Sequence, residues 1–435
     1  FQVPGGGSSS FGGGGGGSGA NAPYTAPGGF LGGAGGRLSE ASNTFYNGGG
    51  GGGAGMGGAI FVQEGGTLSL AGTLNVSGNA VAGGAAGSGV YLSAGHAGGS
   101  AGAGMFLMGN GTLTLAPGAG QTQTIADAIT DQAGAGGTGA WSLVKNAPGT
   151  TILLGANAYA GGTTVNSGIL QGNTGSLQGK IVNNATVVFQ QTGAGSYAGD
   201  MSGTGTVTVS GTGDVTLAGT NTYSGGTTVT GGGRLLFTSD ASLGAAGKTI
   251  SVTDAAIGVG TGAGGQTFAR PVTIAGSGGF FVDESVTNPV TWSGAIDGTG
   301  MLVKSGGGRL VLSGAKTYSG GTEVTGGFLL ISDDASLGAA GTGITLNVGG
   351  IGTVKEAPAS LTIGRAITLV DRGSVYVDNN PLTVSGPIGG SGQLIKDGAG
   401  ALILTGTNTY SGGTFVARGT LQIASDDKLG TAGTG

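Results

Sequence analysis

The segment Val290–Gly314, VTWSGAIDGTGMLVKSGGGRLVLSG, returns at Leu382–Gly406 as LTVSGPIGGSGQLIKDGAGALILTG, without a gap and 92 residues later. Apolar, glycine and turn positions match, while the positions between them drift. Each copy runs into the same punctuation, Lys316-Thr-Tyr318-Ser-Gly-Gly-Thr322 in one and Asn408-Thr-Tyr410-Ser-Gly-Gly-Thr414 in the other. A fixed long period in a chain of short strand-like runs means that each copy buries its apolar face against its neighbours. A stacked solenoid is therefore predicted.

The strand reading rests on period-two alternation, as in Thr67-Leu-Ser-Leu70, Thr73-Leu-Asn-Val76 and Thr112-Leu-Thr-Leu115, with Gly, Asn and Ser between the runs. Val90-Tyr-Leu92 and Met105–Met108 continue it, and Thr124–Gln132 is read as a strand followed by a turn. From Trp141 onward the larger unit is marked by four corners: Tyr159 with Gly161 and Gly162, Tyr223 with Gly225 and Gly226, Tyr318 with Gly320 and Gly321, and Tyr410 with Gly412 and Gly413. Their spacings are 64, 95 and 92 residues, so the first unit is shorter by about one rung. Each ring is expected to cover its Gly-Gly corner, where a positive φ is wanted. A 92-residue unit is read as about four rungs, and the whole as an all-β, right-handed parallel β-helix of roughly 17 rungs with a Gly-rich N-terminal region.

Composition supports this and excludes much else. Glycine supplies 109 of 435 residues with no triplet period and only 10 prolines, which rules out collagen. Charged residues are 8% of the chain, so exposed positions must be filled by Thr, Ser, Asn and Gly. The net charge is −5 with no basic run, which argues against nucleic acid as a partner. No apolar run reaches the length of a membrane-spanning helix, and the absence of cysteine excludes disulfides and thiol chemistry. Residues 1–56 are a Gly/Ser-rich low-complexity region expected to be a mobile lead-in, with Phe11, Phe30, Leu31 and Phe45 available to pin loops onto the first rungs. Residues 57–140 are read as N-terminal β-helix rungs, and 141–435 as repeats that continue beyond the last residue, since an uncapped rung exposes a sheet edge.

The run Leu-Val-Lys-x-Gly-x-Gly-x-Leu-x-Leu-Ser-Gly-x-x-Thr-Tyr-Ser-Gly-Gly-Thr-x-Val at Leu302–Val324 resembles the passenger-associated transport repeat of autotransporters, the type V secreted proteins of Gram-negative bacteria. The pattern also covers Leu143–Val165, Val215–Val229 and Leu394–Val416. The resemblance implies a β-helical passenger at the cell surface or released outside the cell, carried by a C-terminal membrane β-barrel that lies outside this chain. It marks architecture and export and names no ligand.

Chemistry-bearing residues are sparse. His96 is the single histidine and sits in a glycine loop with no nucleophile elbow, so a solvated loop residue is the expectation. Ser242–Thr249 approaches a phosphate-binding loop but precedes a strand where a helix is needed. Asp240, Asp334 and Asp426 share one register and are read as turn caps, with calcium considered at Asp333, Asp334, Asp426 and Asp427. Asp283, Glu284 and Asp297 are the best carboxylates for sugar cleavage, but Asp283 matches Asp378 in the next unit, as a turn position would.

The reading is thus a noncatalytic surface passenger acting as adhesin or stalk, without catalytic residues or cofactors. Its ligand on a host, abiotic or neighbouring-cell surface is unassigned. The alternatives are a filament or matrix protein that self-associates through open rung edges, and a polysaccharide-active enzyme.

Overall fold

The computed structural model describes residues 29–34, 40–41, 44–45, 50–88, 94–261, 264–355, 357–358 and 361–431; Phe11 and Val90-Tyr-Leu92 lie outside them. Two compact units divide the chain at 186/187. Both are parallel β-helices. Short alternating runs place Val, Ile and Leu inward and Thr, Ser or charged residues outward, and glycine turns carry the chain to the next face.

In the second unit a full coil holds three strands, as Ile344–Leu346, Gly350–Thr353 and Leu361–Ile363 do before Ile367–Leu369 begins the next. Inward ladders run Val207, Thr227, Ile250, Val272, Ile296 along one face and Leu310, Leu329, Ile351, Val375 along another. Every aliphatic member is buried. Aromatic rings fill the interior where the coils widen: Phe268 lies 5.1 Å from Phe237 and 5.5 Å from Trp292, and Trp292 lies 5.0 Å from Phe280. Aromatic contacts at these spacings add to the area they bury.

In the first unit, coils stack from Leu68 through Leu113 and Leu143 to Thr163 and Ile181. The first step takes 45 residues, from Leu68 to Leu113, and the next 30, because glycine-rich excursions leave the sheet between strands. Elsewhere a coil takes 18 to 24, as from Thr163 to Ile181 and from Val272 to Ile296. The two units together therefore hold about 14 coils rather than the roughly 17 expected from length.

The first of those excursions has a structure of its own. Gly52 and Gly55 donate to the carbonyls of His96 and Gly99, Gly84 and Gly87 to those of Gly53 and Gly50, Gly95 and Gly98 to those of Gly87 and Gly84, and His96 and Gly99 to those of Ala34 and Leu31. Donors recur every third residue, and segment 50–55 bonds three neighbours at once. A pleated strand has two neighbours; a threefold extended helix has donors pointing three ways. The packing is close enough that a Cβ on Gly52 or Gly98 would run into a neighbouring carbonyl. Segments 31–34 and 50–55, which composition alone assigns to flexible coil, are thereby hydrogen-bonded to the rest of the unit. Phe30 lies 6.1 Å from Phe106, and Leu31 lies against Gly99.

Candidate functional site: the repeated corner

The four tyrosines are interior residues, Tyr223, Tyr318 and Tyr410 fully so. Each hydroxyl is hydrogen-bonded to the threonine four residues on: Tyr159 to Thr163 at 2.8 Å, Tyr223 to Thr227 at 2.7 Å, Tyr318 to Thr322 at 2.7 Å and Tyr410 to Thr414 at 2.6 Å. The ring is covered from the following coil. A Cβ on Gly244 would stand 2.8 Å from the Tyr223 ring, one on Gly338 2.7 Å from Tyr318 and one on Gly430 3.1 Å from Tyr410. Burial pushes the hydroxyls of Tyr159, Tyr223 and Tyr318 up to about 12, and that of Tyr410 upward.

The two corner glycines serve different ends. The second of each pair takes a left-handed φ: +78° at Gly162, +89° at Gly226, +85° at Gly321 and +77° at Gly413. The first lies on the backbone of the preceding coil, where a Cβ on Gly225 would meet Gly205 at 2.6 Å and those on Gly161, Gly320 and Gly412 would meet Trp141, Gly300 and Gly392. Gly321→Ala is expected to cost about 1–2 kcal/mol through backbone strain. Gly320→Ala is expected to cost about 3 kcal/mol, because two packed coils must separate. Urea midpoints of the two variants test the order, and a milder Gly320→Ala would contradict it.

Polar side chains then tie coil to coil. Asn221 accepts from the Met201 amide at 2.7 Å and donates to the Ser242 carbonyl at 2.6 Å, so one amide bridges three coils. Asn157 does the same between Ile129 and Ser176, and Asn408 between Ile388 and Lys428. Lys316 takes this position at the third corner and donates to Gly294 and Ser313. Lys304 and Lys396 are buried and donate to three carbonyls each: Ser305, Gly306 and Gly326, and Asp397, Gly398 and Arg418. Burial pushes the Lys304 ammonium down to about 7. Buried Lys145 donates to Ala147 and Ser167. In the first unit, buried Asp131 accepts from the amides of Gly134, Trp141 and Ala160.

The acidic turns are clamped from above. Asp240–Leu243 and Asp334–Leu337 are single 3-10 turns. Arg270, buried, holds the first through Asp240 at 2.6 Å and the carbonyls of Asp240, Leu243, Gly244 and Ala245. Arg365 holds the second in the same way. The Asp240 and Asp334 carboxylates thus face arginine, and the cap of the second turn is Asp333, which accepts from the Ser336 amide at 2.9 Å. Asp427 is paired with Lys428 and Ser425, and Asp426 opens a third turn, Asp426–Lys428. Among the described residues no three His, Cys, Asp or Glu side chains converge as a metal requires. His96 is exposed, its backbone in the glycine layer. Asp297 pairs beside Thr273 at the start of strand Val272–Val282, whereas Asp283 follows that strand's other end and accepts from Ser285, and Glu284 is exposed. The nine strand residues between Thr273 and Asp283 exceed the few-ångström gap of a glycosidase pair.

The corner, its strands and its ties recur as one unit. A family model described as the passenger-associated transport repeat matches residues 143–171, 207–235, 302–331 and 394–423. Each matched stretch pairs with itself: Leu143 with Thr163 and Thr151 with Leu170, Val207 with Thr227 and Val215 with Leu235, Leu302 with Thr322 and Leu310 with Leu329, Leu394 with Thr414 and Leu402 with Leu421. The chain thus carries four copies of this repeat, which supports an autotransporter passenger domain. The chain is 37% identical over 130 residues to a protein named adhesin BmaC autotransporter from Brucella suis biovar 1 (strain 1330), a match over 29% of this chain and 4% of that protein's length. No solved structure matches the chain.

Within the second unit the sequence period is offset from the coils. From Thr227 the ladder climbs through Ile250, Val272 and Ile296 to Thr317, and Thr322 lies one strand further. From Thr322 it climbs through Ile344, Ile367 and Ile388 to Thr409, and Thr414 again lies one strand further. A unit of about four rungs is thus four turns plus one face, so consecutive corners occupy successive faces.

Proposed function

We propose that this passenger is a noncatalytic, surface-exposed β-helix of a Gram-negative autotransporter, exported by a membrane β-barrel encoded outside these 435 residues and acting in adhesion. The observation that carries the reading is the fourfold self-paired repeat, in which every large side chain that the sequence singles out at the corners is spent inside the stack. What faces outward is sheet: threonine ladders such as Thr345 beside Thr368 and Thr362 beside Thr383, free to meet a ligand. The likeness to a protein named as an adhesin supports the adhesive role.

Antibodies raised against the chain should label intact cells that carry the whole gene. Labelling should vanish when the downstream coding segment is deleted, and cells lacking only this passenger should attach less. Labelling that requires permeabilised cells would sink the display reading. Unchanged attachment would sink the adhesive one.

A further inference from the structure

In the second unit, strand Gly350–Thr353 omits two outward side chains from the sheet face. Gly352 lies in register between Leu330 and Tyr376, and Gly350 between Phe328 and Ser374. Their neighbours lean into the gap: a Cβ on Gly352 would meet Tyr376 at 2.9 Å and Leu330 at 3.1 Å, and one on Gly350 would meet Phe328 at 2.6 Å. The result is a groove of about 410 Å³ floored by Leu330 and Tyr376, with Arg309, Lys355 and Asp378 around it. That is within the range of ligand clefts, about 300–1,000 Å³. The Arg309 guanidinium lies 5.2 Å from the Tyr376 ring and 5.8 Å from Phe328, which hold it in place without neutralising it. Neither Arg309 nor Lys355 has an ion-pair partner among the described residues.

A sister groove makes the charge informative. The ladder Thr216, Leu236, Gly258, Phe281 repeats the ladder Val311, Leu330, Gly352, Tyr376, and a cavity of about 330 Å³ lies over it. There Arg234 sits 4.0 Å over the Phe281 ring, but Asp214 takes its guanidinium at 2.6 Å and Asp283 stands beside it. In the upper groove the register position of Asp214 is Arg309 and that of Arg234 is Phe328. One cation against two carboxylates has become two cations against one. On a chain of net charge −5, this outward cleft is therefore locally cationic, with an aromatic floor.

We propose that this upper groove binds a uronic-acid residue of an acidic polysaccharide. The apolar face of the sugar lies on Tyr376. Its carboxylate meets the free N–H edge of Arg309 and the Lys355 ammonium, a geometry for which a guanidinium is suited. Asp378 accepts from a sugar hydroxyl. This deepens the adhesive reading by naming a ligand class, and it rests on that reading for its biological setting only. Binding is measured on the purified chain, so its failure leaves surface display standing, and failed display leaves the groove standing.

The test is calorimetric titration with oligogalacturonate, oligoguluronate and hyaluronate fragments, with a neutral cello-oligosaccharide as comparison. At least one uronate should bind with a Kd below about 1 mM. Arg309→Gln and Lys355→Gln, both exposed and safe for folding, should each weaken it about tenfold or more, as should 0.5 M salt. Tyr376→Ala should abolish it. Arg234→Gln in the sister groove should change nothing. The proposal is overturned if no uronate binds at millimolar concentration, if the neutral sugar binds equally, or if Arg309→Gln and Lys355→Gln bind like the parent.

Discussion

Replacing Arg365 by alanine is expected to destabilise the second unit by about 3–5 kcal/mol, the range for stripping a buried, fully bonded cation from its partners. The guanidinium is 3% exposed and occupied on every side. Its Nε meets both Asp334 carboxylate oxygens at 3.1 Å, one terminal nitrogen donates to Ala339 at 2.7 Å and Thr342 Oγ1 at 2.6 Å, and the other donates to Asp334 at 3.0 Å and Gly338 at 2.9 Å. Alanine leaves the carbonyls of Asp334, Gly338 and Ala339 facing a void between two coils. Because coils stabilise only their neighbours, opening should start locally, and amide exchange over residues 334–342 should accelerate first. Arg365→Lys should recover little, since a single ammonium cannot reach acceptors on two sides of the turn. The chain has two tryptophans, Trp141 in the first unit and Trp292 in the second. Urea unfolding followed by Trp292 in a Trp141→Phe background reads the second unit alone. A loss under about 1 kcal/mol would mean that the clamp is ornamental.

Alkaline unfolding should be steep between pH 10 and 12 and traceable to the corner tyrosines. Burial raises Tyr223 and Tyr318 from 10.0 to about 12 in the folded state. Both states hold the phenol proton below pH 10, so the full stabilisation is present there. Between 10 and 12 the unfolded chain ionises while the folded chain cannot, and each tyrosine removes about 2–3 kcal/mol by pH 12. Lys304 works in the opposite sense at lower pH. Its folded-state value near 7 lies below its ordinary 10.5, so the folded chain releases that proton first and stability grows from pH 7 toward 10. The second unit should therefore be most stable near pH 10 and fail rapidly above it. The double variant Tyr223→Phe, Tyr318→Phe should lose about 1 kcal/mol per hydroxyl at pH 8 yet show a much flatter fall above pH 10. An unchanged slope would show that other groups drive the transition.

Much of this was legible in the residues. The echo of Val290–Gly314 at Leu382–Gly406 demands stacking, and the alternation in Leu302-Val-Lys304 already places Lys304 on the inward side, though charge suggests the surface. The family pattern spans the same four places that the fold builds as self-paired coils. The reading of Asp240 and Asp334 as turn caps went astray because their arginines lie about one coil and a half further along, at Arg270 and Arg365. The tie of Asn221 to Met201 and Ser242 has the same origin, since no local pattern specifies which residues 20 or 30 apart become neighbours.

The residues alone specify a parallel β-solenoid and its repeated corners, because both depend on periods that can be seen along the chain. Tertiary structure alone decided the number of coils, the one-face step between repeats, the three-way bonding of the glycine segments and the cationic groove over Gly350 and Gly352. All four depend on how many residues each coil consumes before it closes. That number varies from 18 to 49, as between Thr163 and Ile181 and between Leu74 and Gln123, and it is set by where the chain can next pair its backbone.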